Sequence, residues 1–330
     1  MKKIINNPKN LVEELLDGYI AAYGDIYERV PGVNGFVVKN KKDKVALLIG
    51  GGSGHEPLFP GFAGEGLADA VAMGNIFASP NPATILEVTK AIDCGKGVLY
   101  VYGNYAGDNL NFDMAEEMAN ASGIQTSSVR VWDDVASAPL ERIDDRRGIA
   151  GDLFVIKTAG AATAMGLSLE EATRVTKKAR DSVRTIGVSL APGSIPGSDK
   201  ATFELPEDEI EFGMGLHGEP GVKRTKMMPA DELTSIMMDH IINDLPFQSG
   251  DEVCVLINGL GSTTFLELFI VNRKVSQILE SKGIKVYDTN VGSYCTCQEM
   301  AGASITLIRL DEELKKYYDY PAFSPYYTKK

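Results

Sequence analysis

Positive charge is in short supply. The 330-residue sequence holds 33 Lys and Arg against 45 Asp and Glu, a formal net charge of -12. Nucleic-acid binders carry a basic patch or stripe. The densest basic run here, from Lys39 to Lys44, is short and reads as a solvated hairpin. Long apolar runs are missing too: no segment reaches the ~18 consecutive apolar residues that mark a membrane-spanning helix. Met1-Lys2-Lys3 is followed by Asn6, Asn7, Lys9 and Asn10 rather than by an apolar stretch, so no secretory leader is read and a cytoplasmic protein is expected. Cysteine is sparse. Cys94, Cys254, Cys295 and Cys297 are too few and too scattered for a disulfide framework. Cys295-x-Cys297 has no second pair at zinc-ligand spacing, so free thiols in or near a strand are expected, and no metal.

What is present suits a folded protein of about two domains at roughly 150 residues each. Hydrophobic residues make up 44% and charged residues 24%, enough apolar surface for a sizeable core. Apolar runs at 44–49, 97–102 and 126–131 each read as a buried strand, the first two ending at glycine. Helical patterns at 8–28, 82–93 and 111–122 flank them. That alternation predicts an α/β fold whose first domain is a parallel three-layer sheet, with ligand expected at the carboxyl ends of its strands. Small residues over 151–166 predict a closely packed helix, and Ser168 with Glu171 predicts a capped helix to about 182. The strand and Pro/Gly loop that follow place a domain change near 183, giving domains 1–183 and 184–330. Strands at about 185–190, 209–216, 253–258, 284–288 and 304–310, with helices at about 230–243 and 264–282, predict a mixed sheet for the second domain.

Three glycine-bound segments carry chemistry-bearing residues. Gly50-Gly-Gly-Ser-Gly-His-Glu-Pro57 follows a strand. It lacks the Gly-Lys-Ser/Thr of a phosphate-binding loop and the third glycine of a dinucleotide fingerprint. It is either a tight turn or a placement device for His55. Gly103-Asn-Tyr-Ala-Gly-Asp108 also follows a strand, and its spacing leaves Asp108 between a helix N-cap and a carboxylate base. Gly213-Met-Gly-Leu-His-Gly-Glu-Pro-Gly221 puts His217 at the end of an alternating strand. Two of the three histidines thus sit in Gly/Glu-Pro settings at strand ends. The third, His240, falls mid-helix and reads as structural.

These segments, with Arg146-Arg-Gly-Ile-Ala-Gly151 and Tyr294-Cys-Thr-Cys-Gln-Glu-Met-Ala-Gly-Ala-Ser-Ile-Thr-Leu307, resemble the dihydroxyacetone kinase K-subunit family along the whole chain. The resemblance implies two α/β domains, a homodimer, and a short ketose held covalently as a hemiaminal on His217. It implies Asp108 as the base acting on the ketose hydroxyl, His55 as its helper, and Gly52, Ser53 and Gly103 lining the substrate. It also implies that this chain binds no cofactor. ADP or ATP with Mg is expected on a separate helical subunit of L type, the phosphoryl source being ATP or a nucleotide recharged by a sugar-phosphotransferase relay, since no residues remain here for such a domain. The sequence departs from the family pattern in three places. Gly103 stands where the best-known members carry a lysine, Leu58-Phe59-Pro60-Gly61 follows the Gly-His-Glu-Pro, and Gly193-Ser-Ile-Pro196 replaces a Cys-Thr-Val-Pro. That pattern looks closer to relatives acting on four-carbon ketoses such as erythrulose. It also suits a non-catalytic ketose sensor that acts as a transcriptional co-regulator. Arg146 and Arg147 read as loop and interface residues, with a role in docking the phosphoryl-donating partner as the alternative.

Overall fold

A computed structural model describes residues 2–330 except Lys41 and Asp199. The chain forms two compact units, each assembled from separated stretches. Unit 1 comprises Met1–Val131, Leu153–Ala179 and Lys316–Lys330; unit 2 comprises Trp132–Asp152 and Arg180–Lys315. One of the four crossings, at 179/180, lies close to residue 183. The stretch 132–152 packs with unit 2 and the stretch 316–330 with unit 1. Side chains explain both placements. Within unit 2, Asp133 accepts the backbone N–H groups of Ile149 (2.8 Å) and Gly151 (2.7 Å). Within unit 1, the tail buries Tyr317, Tyr318 and Tyr327, and Ser324 Oγ donates to the Gly61 carbonyl at 2.6 Å.

Unit 1 begins with α1 (Leu11–Tyr23), β1 (Tyr27–Arg29), β2 (Gly35–Val38), β3 (Ala46–Ser53) and β4 (Ala70–Ile76). It continues with α2 (Pro82–Ile92), β5 (Val98–Gly103), α3 (Ala106–Ala121) and β6 (Thr126–Val131), then takes in α4 (Asp152–Ala164) and most of α5 (Leu169–Asp181). The sheet order is β1-β2-β4-β3-β5-β6. It is parallel across β4-β3-β5-β6, while β2 runs antiparallel to both β1 and β4. The helix expected over 8–28 therefore ends at Tyr23, because Tyr27–Arg29 pairs with Phe36–Val38. The stretch 39–44 is not a hairpin: it links β2 to β3, which are not neighbours, and its Lys41 lies outside the described residues. The core packs Ile85, Val88 and Ile92 of α2 and Phe112 and Ala115 of α3 on Leu48, Tyr100 and Tyr102. β3 and β5 are neighbours whose outgoing connections lead to opposite sides, to β4 and to β6. Such a switch point leaves a crevice at the carboxyl ends of the two strands.

Unit 2 contains β7 (Val183–Ala191), β8 (Glu209–Phe212), β9 (Lys223–Lys226), α6 (Ala230–Asp244), β10 (Glu252–Gly259), α7 (Phe265–Ser281), β11 (Lys285–Gly292) and β12 (Ala301–Leu310). α8 (Glu312–Tyr318) leads into the tail, which closes with the ribbon β13 (Ala322–Phe323) and β14 (Thr328–Lys329). The unit 2 sheet runs β11-β10-β12-β7-β8-β9, parallel only between β10 and β11, which is the mixed sheet expected. α6 and α7 cover it through Leu233, Met237, Ile241, Leu268, Val271 and Val275.

Candidate active site

In unit 1 the crevice edge is built by β3 and the turn after it. β3 is buried almost throughout, and its glycines let other chain segments approach closely. A Cβ on Gly51 would overlap the ring of Phe59, so the departure at Leu58-Phe59 is accommodated by a bare backbone. Ser53 Oγ donates to the Gly74 carbonyl at 2.8 Å and is almost fully buried, so its hydroxyl is held by the sheet and only its backbone faces other roles. His55 follows, 4% exposed, its ring stacked on Phe77 with centroids 5.0 Å apart. Both carboxylate oxygens of Glu56 accept the Gly54 N–H at 3.0 Å and fix the turn. Burial pushes the Glu56 pKa up, with the Gly54 and Glu56 N–H groups pulling against it.

β5 ends at Gly103, buried and paired with Val131 of β6. The next element, α3, has Tyr105 as its N-cap, so Asp108 is not the cap; it lies inside the first turn. A carboxylate there is favoured by the positive end of the helix dipole. Asn109 Nδ2 donates to Asn104 Oδ1 at 2.8 Å and pins the loop to the helix start. The structure thus places His55 and Asp108 after adjacent parallel strands, at the switch point of unit 1.

In unit 2, β8 stops at Phe212, four residues short of the strand expected to 216. Gly213 turns the chain with a φ of +73°, and Met214 and Leu216 stay buried in a loop rather than in the sheet. That loop carries His217. Its backbone N–H donates to Glu219 Oε2 at 2.9 Å, and its Nδ1 lies 3.0 Å from Glu219 Oε1. Burial raises the Glu219 pKa, but the hydrogen bond and charge of His217 outweigh it and hold the carboxyl down at about 2. An ionised carboxylate only accepts, so whenever the ring is neutral this pairing puts its hydrogen on Nδ1 and its lone pair on Nε2. The loop closes on itself: the Gly215 N–H donates to the Glu219 carbonyl at 3.0 Å. A Cβ on Gly215 would overlap both the Glu219 carboxylate and the Arg147 guanidinium.

Arg147 lies in a loop, as expected, and is held there by several partners. It pairs with Asp134 at 2.9 Å, donates to the Gly213 carbonyl at 2.8 Å and stands 3.9 Å from Glu219. Arg146 is 1% exposed and grips Asp244, which Arg184 shares. The Cys297 thiol donates to the Leu216 carbonyl, one residue before His217, and burial pushes its pKa to about 12. All four cysteines are free. His240 lies on an exposed face of α6. Among the described residues no cluster of three or more His, Cys, Asp or Glu is arranged to hold a metal ion, and no helix is long and apolar enough to cross a membrane. The sequence reading gave no role to Glu219, for which the His-x-Glu spacing was the available signal, and did not tie Arg147 to the His217 loop.

A histidine and a carboxylate after adjacent strands of one α/β unit, and a carboxylate-backed histidine loop in the other, define a protein of two α/β units with candidate site residues in each. Residues 17–326 match the Dak1 domain, and the chain belongs to that family. It is 44% identical over 330 residues to the PTS-dependent dihydroxyacetone kinase 2, dihydroxyacetone-binding subunit DhaK, of Listeria innocua, covering 99% of each chain. It is 40% identical to the L-erythrulose kinase of Pectobacterium atrosepticum, covering 100% of this chain and 56% of that protein. Among solved structures, the dihydroxyacetone kinase of C. freundii superposes with a TM-score of 0.92 at 30% identity, over 99% of this chain and 60% of that one. The dihydroxyacetone kinase operon co-activator Dha-DhaQ superposes with a TM-score of 0.89 at 30% identity, over 94% of this chain and 96% of that one.

Proposed function

We propose that this protein is the substrate-binding, catalytic subunit of a short-chain ketose kinase, acting on dihydroxyacetone or a four-carbon ketose such as erythrulose. The observation that carries the reading is the His217 loop, where the Glu219 carboxylate lies 3.0 Å from Nδ1 and, by accepting its hydrogen, leaves the lone pair on Nε2. That lone pair attacks the ketose carbonyl carbon, the carbonyl π bond breaks, and the oxygen takes up a proton to leave a hemiaminal. A larger sugar, cyclised in water, offers little free carbonyl, so capture selects short ketoses as well as orienting them. Asp108 is the base for the terminal hydroxyl that attacks the phosphoryl group, with His55 as its helper and Gly52, Ser53 and Gly103 lining the substrate. The phosphoryl donor is ATP with Mg on a separate helical L-type subunit; transfer leaves ADP there, which is either exchanged for fresh ATP or rephosphorylated in place by a phosphotransferase-system donor. A cytoplasmic homodimer with the ketose histidine in the 184–330 half completes the proposal.

A second reading, a ketose sensor that regulates transcription, is favoured by one observation. The similarity to the operon co-activator covers nearly the full length of both chains. One experiment separates the readings. Native intact-mass spectra with dihydroxyacetone and then erythrulose are expected to show a gain of one ketose per chain, lost in His217→Ala. With a competent nucleotide-carrying partner, phosphorylated ketose should form, and Asp108→Asn should retain the mass gain but not the turnover. Capture without turnover in the wild type would overturn the kinase in favour of the sensor. No mass gain with either sugar would overturn both.

A further inference from the structure

We infer that Glu219 is the positioning residue of ketose capture: by accepting from Nδ1 it selects the His217 tautomer that can attack, and its charge steadies the ring as the bond forms. The inference rests on the capture reading of His217 and goes past it, to what makes this imidazole a carbonyl nucleophile.

The geometry is specific. One Glu219 oxygen takes the ring, Nδ1 to Oε1 at 3.0 Å, and the other takes the His217 backbone N–H at 2.9 Å. Two contacts from one carboxylate fix the ring and its own main chain together, so the imidazole plane is not free to turn. The carboxylate is itself aimed by the Gly215 N–H on the Glu219 carbonyl and by Arg147 at 3.9 Å, which Asp134 and the Gly213 carbonyl anchor. Glu219 is thus the middle of a chain running from a buried aspartate to the imidazole, the arrangement that fixes tautomer and ring orientation behind working histidines elsewhere.

The reaction makes use of the charge. As Nε2 donates its lone pair to the carbonyl carbon, the π pair moves onto oxygen, which takes a proton from solvent. The ring is then a cation until Nδ1 releases its proton, through Glu219, back to solvent. The proton count balances over the two steps, and no oxidant or other reactant is needed. A carboxylate against Nδ1 opposes the positive charge in between. An amide would keep the shape but not the charge, and a methyl group would keep neither.

The test uses the whole chain with dihydroxyacetone as the probe, comparing wild type, Glu219→Gln and Glu219→Ala. Two readouts are taken: native-mass occupancy against ketose concentration, and the ring 15N signals of His217, assigned by their loss in His217→Ala. Wild type is expected to show the Nδ1–H tautomer. Glu219→Ala should move the signals toward Nε2–H and raise the half-saturating concentration about ten- to hundredfold, the cost typical of losing the carboxylate behind a metal-ligating histidine. Glu219→Gln, folded as the wild type by its amide spectrum, should fall between. Unchanged tautomer and capture in both variants would overturn the role of Glu219 while leaving capture by His217 intact. Absence of the adduct in wild type would remove the capture reading itself, and a wild-type ring carrying its hydrogen on Nε2 would by itself overturn the inference.

Discussion

Lys157 lies on α4 with none of its surface exposed, and its ammonium donates to the Tyr317 carbonyl at 2.8 Å. The Tyr320 ring stands 6.0 Å from the same nitrogen. Burial pushes its pKa down to about 7, with Lys329 adding to the shift and Asp319 opposing it. The sign of the consequence follows from proton counting. Between about pH 7 and the ordinary lysine value near 10.4, the unfolded chain holds the proton and the folded chain does not, so stability from this group rises with pH. Below about pH 7 both states are protonated and the contribution is flat. Urea unfolding followed by circular dichroism at pH 7, 8 and 9 should show wild type gaining on Lys157→Met by up to about 1 kcal/mol per pH unit. Parallel curves for the two proteins would mean that the lysine stays charged inside.

At the scale of elements, α7 begins at Thr264, whose N–H (2.9 Å) and hydroxyl (2.7 Å) both donate to Glu267 Oε2. Thr264→Ala should cost about 1 kcal/mol. The single tryptophan, Trp132, belongs to unit 2 and lies beneath the Arg180 and Arg184 guanidinium groups, so its fluorescence in a urea titration reports on that unit. An unmoved midpoint would show that the cap is idle. The elements also show how far the sequence could be read. β3 and β5 were legible because each is a buried apolar run, β6 because β-branched Thr126, Val129 and Val131 follow a helix and a Gly turn, and α6 and α7 because their apolar residues recur at helical spacing. β4 was not, since Ala-Val-Ala-Met-Gly-Asn-Ile has the small, unpatterned composition of a packed helix or loop as much as of a strand. β9 was missed because Lys-Arg-Thr-Lys is an exposed edge with no apolar face. β8 was drawn too long because Met214 and Leu216 keep the alternation after the backbone has turned at Gly213. At the site, glycine neighbours marked His55, Asp108 and His217. Arg147 was picked out, but not its link to His217, because its partners, Asp134, Gly213 and Glu219, are brought to it only by the fold.

At the scale of the whole molecule, unit 1 is discontinuous, and its closing stretch 316–330 supplies buried aromatic rings and the carbonyl that receives Lys157. The Phe323 N–H also donates to the Glu65 carbonyl at 2.8 Å. Removing 316–330 should therefore loosen residues far upstream. Amide hydrogen exchange is expected to quicken in α4 and around residues 61–66, where the tail docks. Unchanged protection there would show that the tail is a passenger.

That same discontinuity sets an order on synthesis. As the chain leaves the ribosome, every residue of unit 2 is out once Lys315 has emerged, but unit 1 still waits for its tail. The first unit to be translated is thus the last to be completed, and for most of that time it stands without the tail rings that pack on Phe62 and Phe154. A chain halted before residue 316 has all of unit 2 but leaves its earliest-made unit incomplete. For a nascent protein, an incomplete unit of that kind is what chaperones and proteases recognise, so the docking of 316–330 marks the point at which the earliest-made unit is complete.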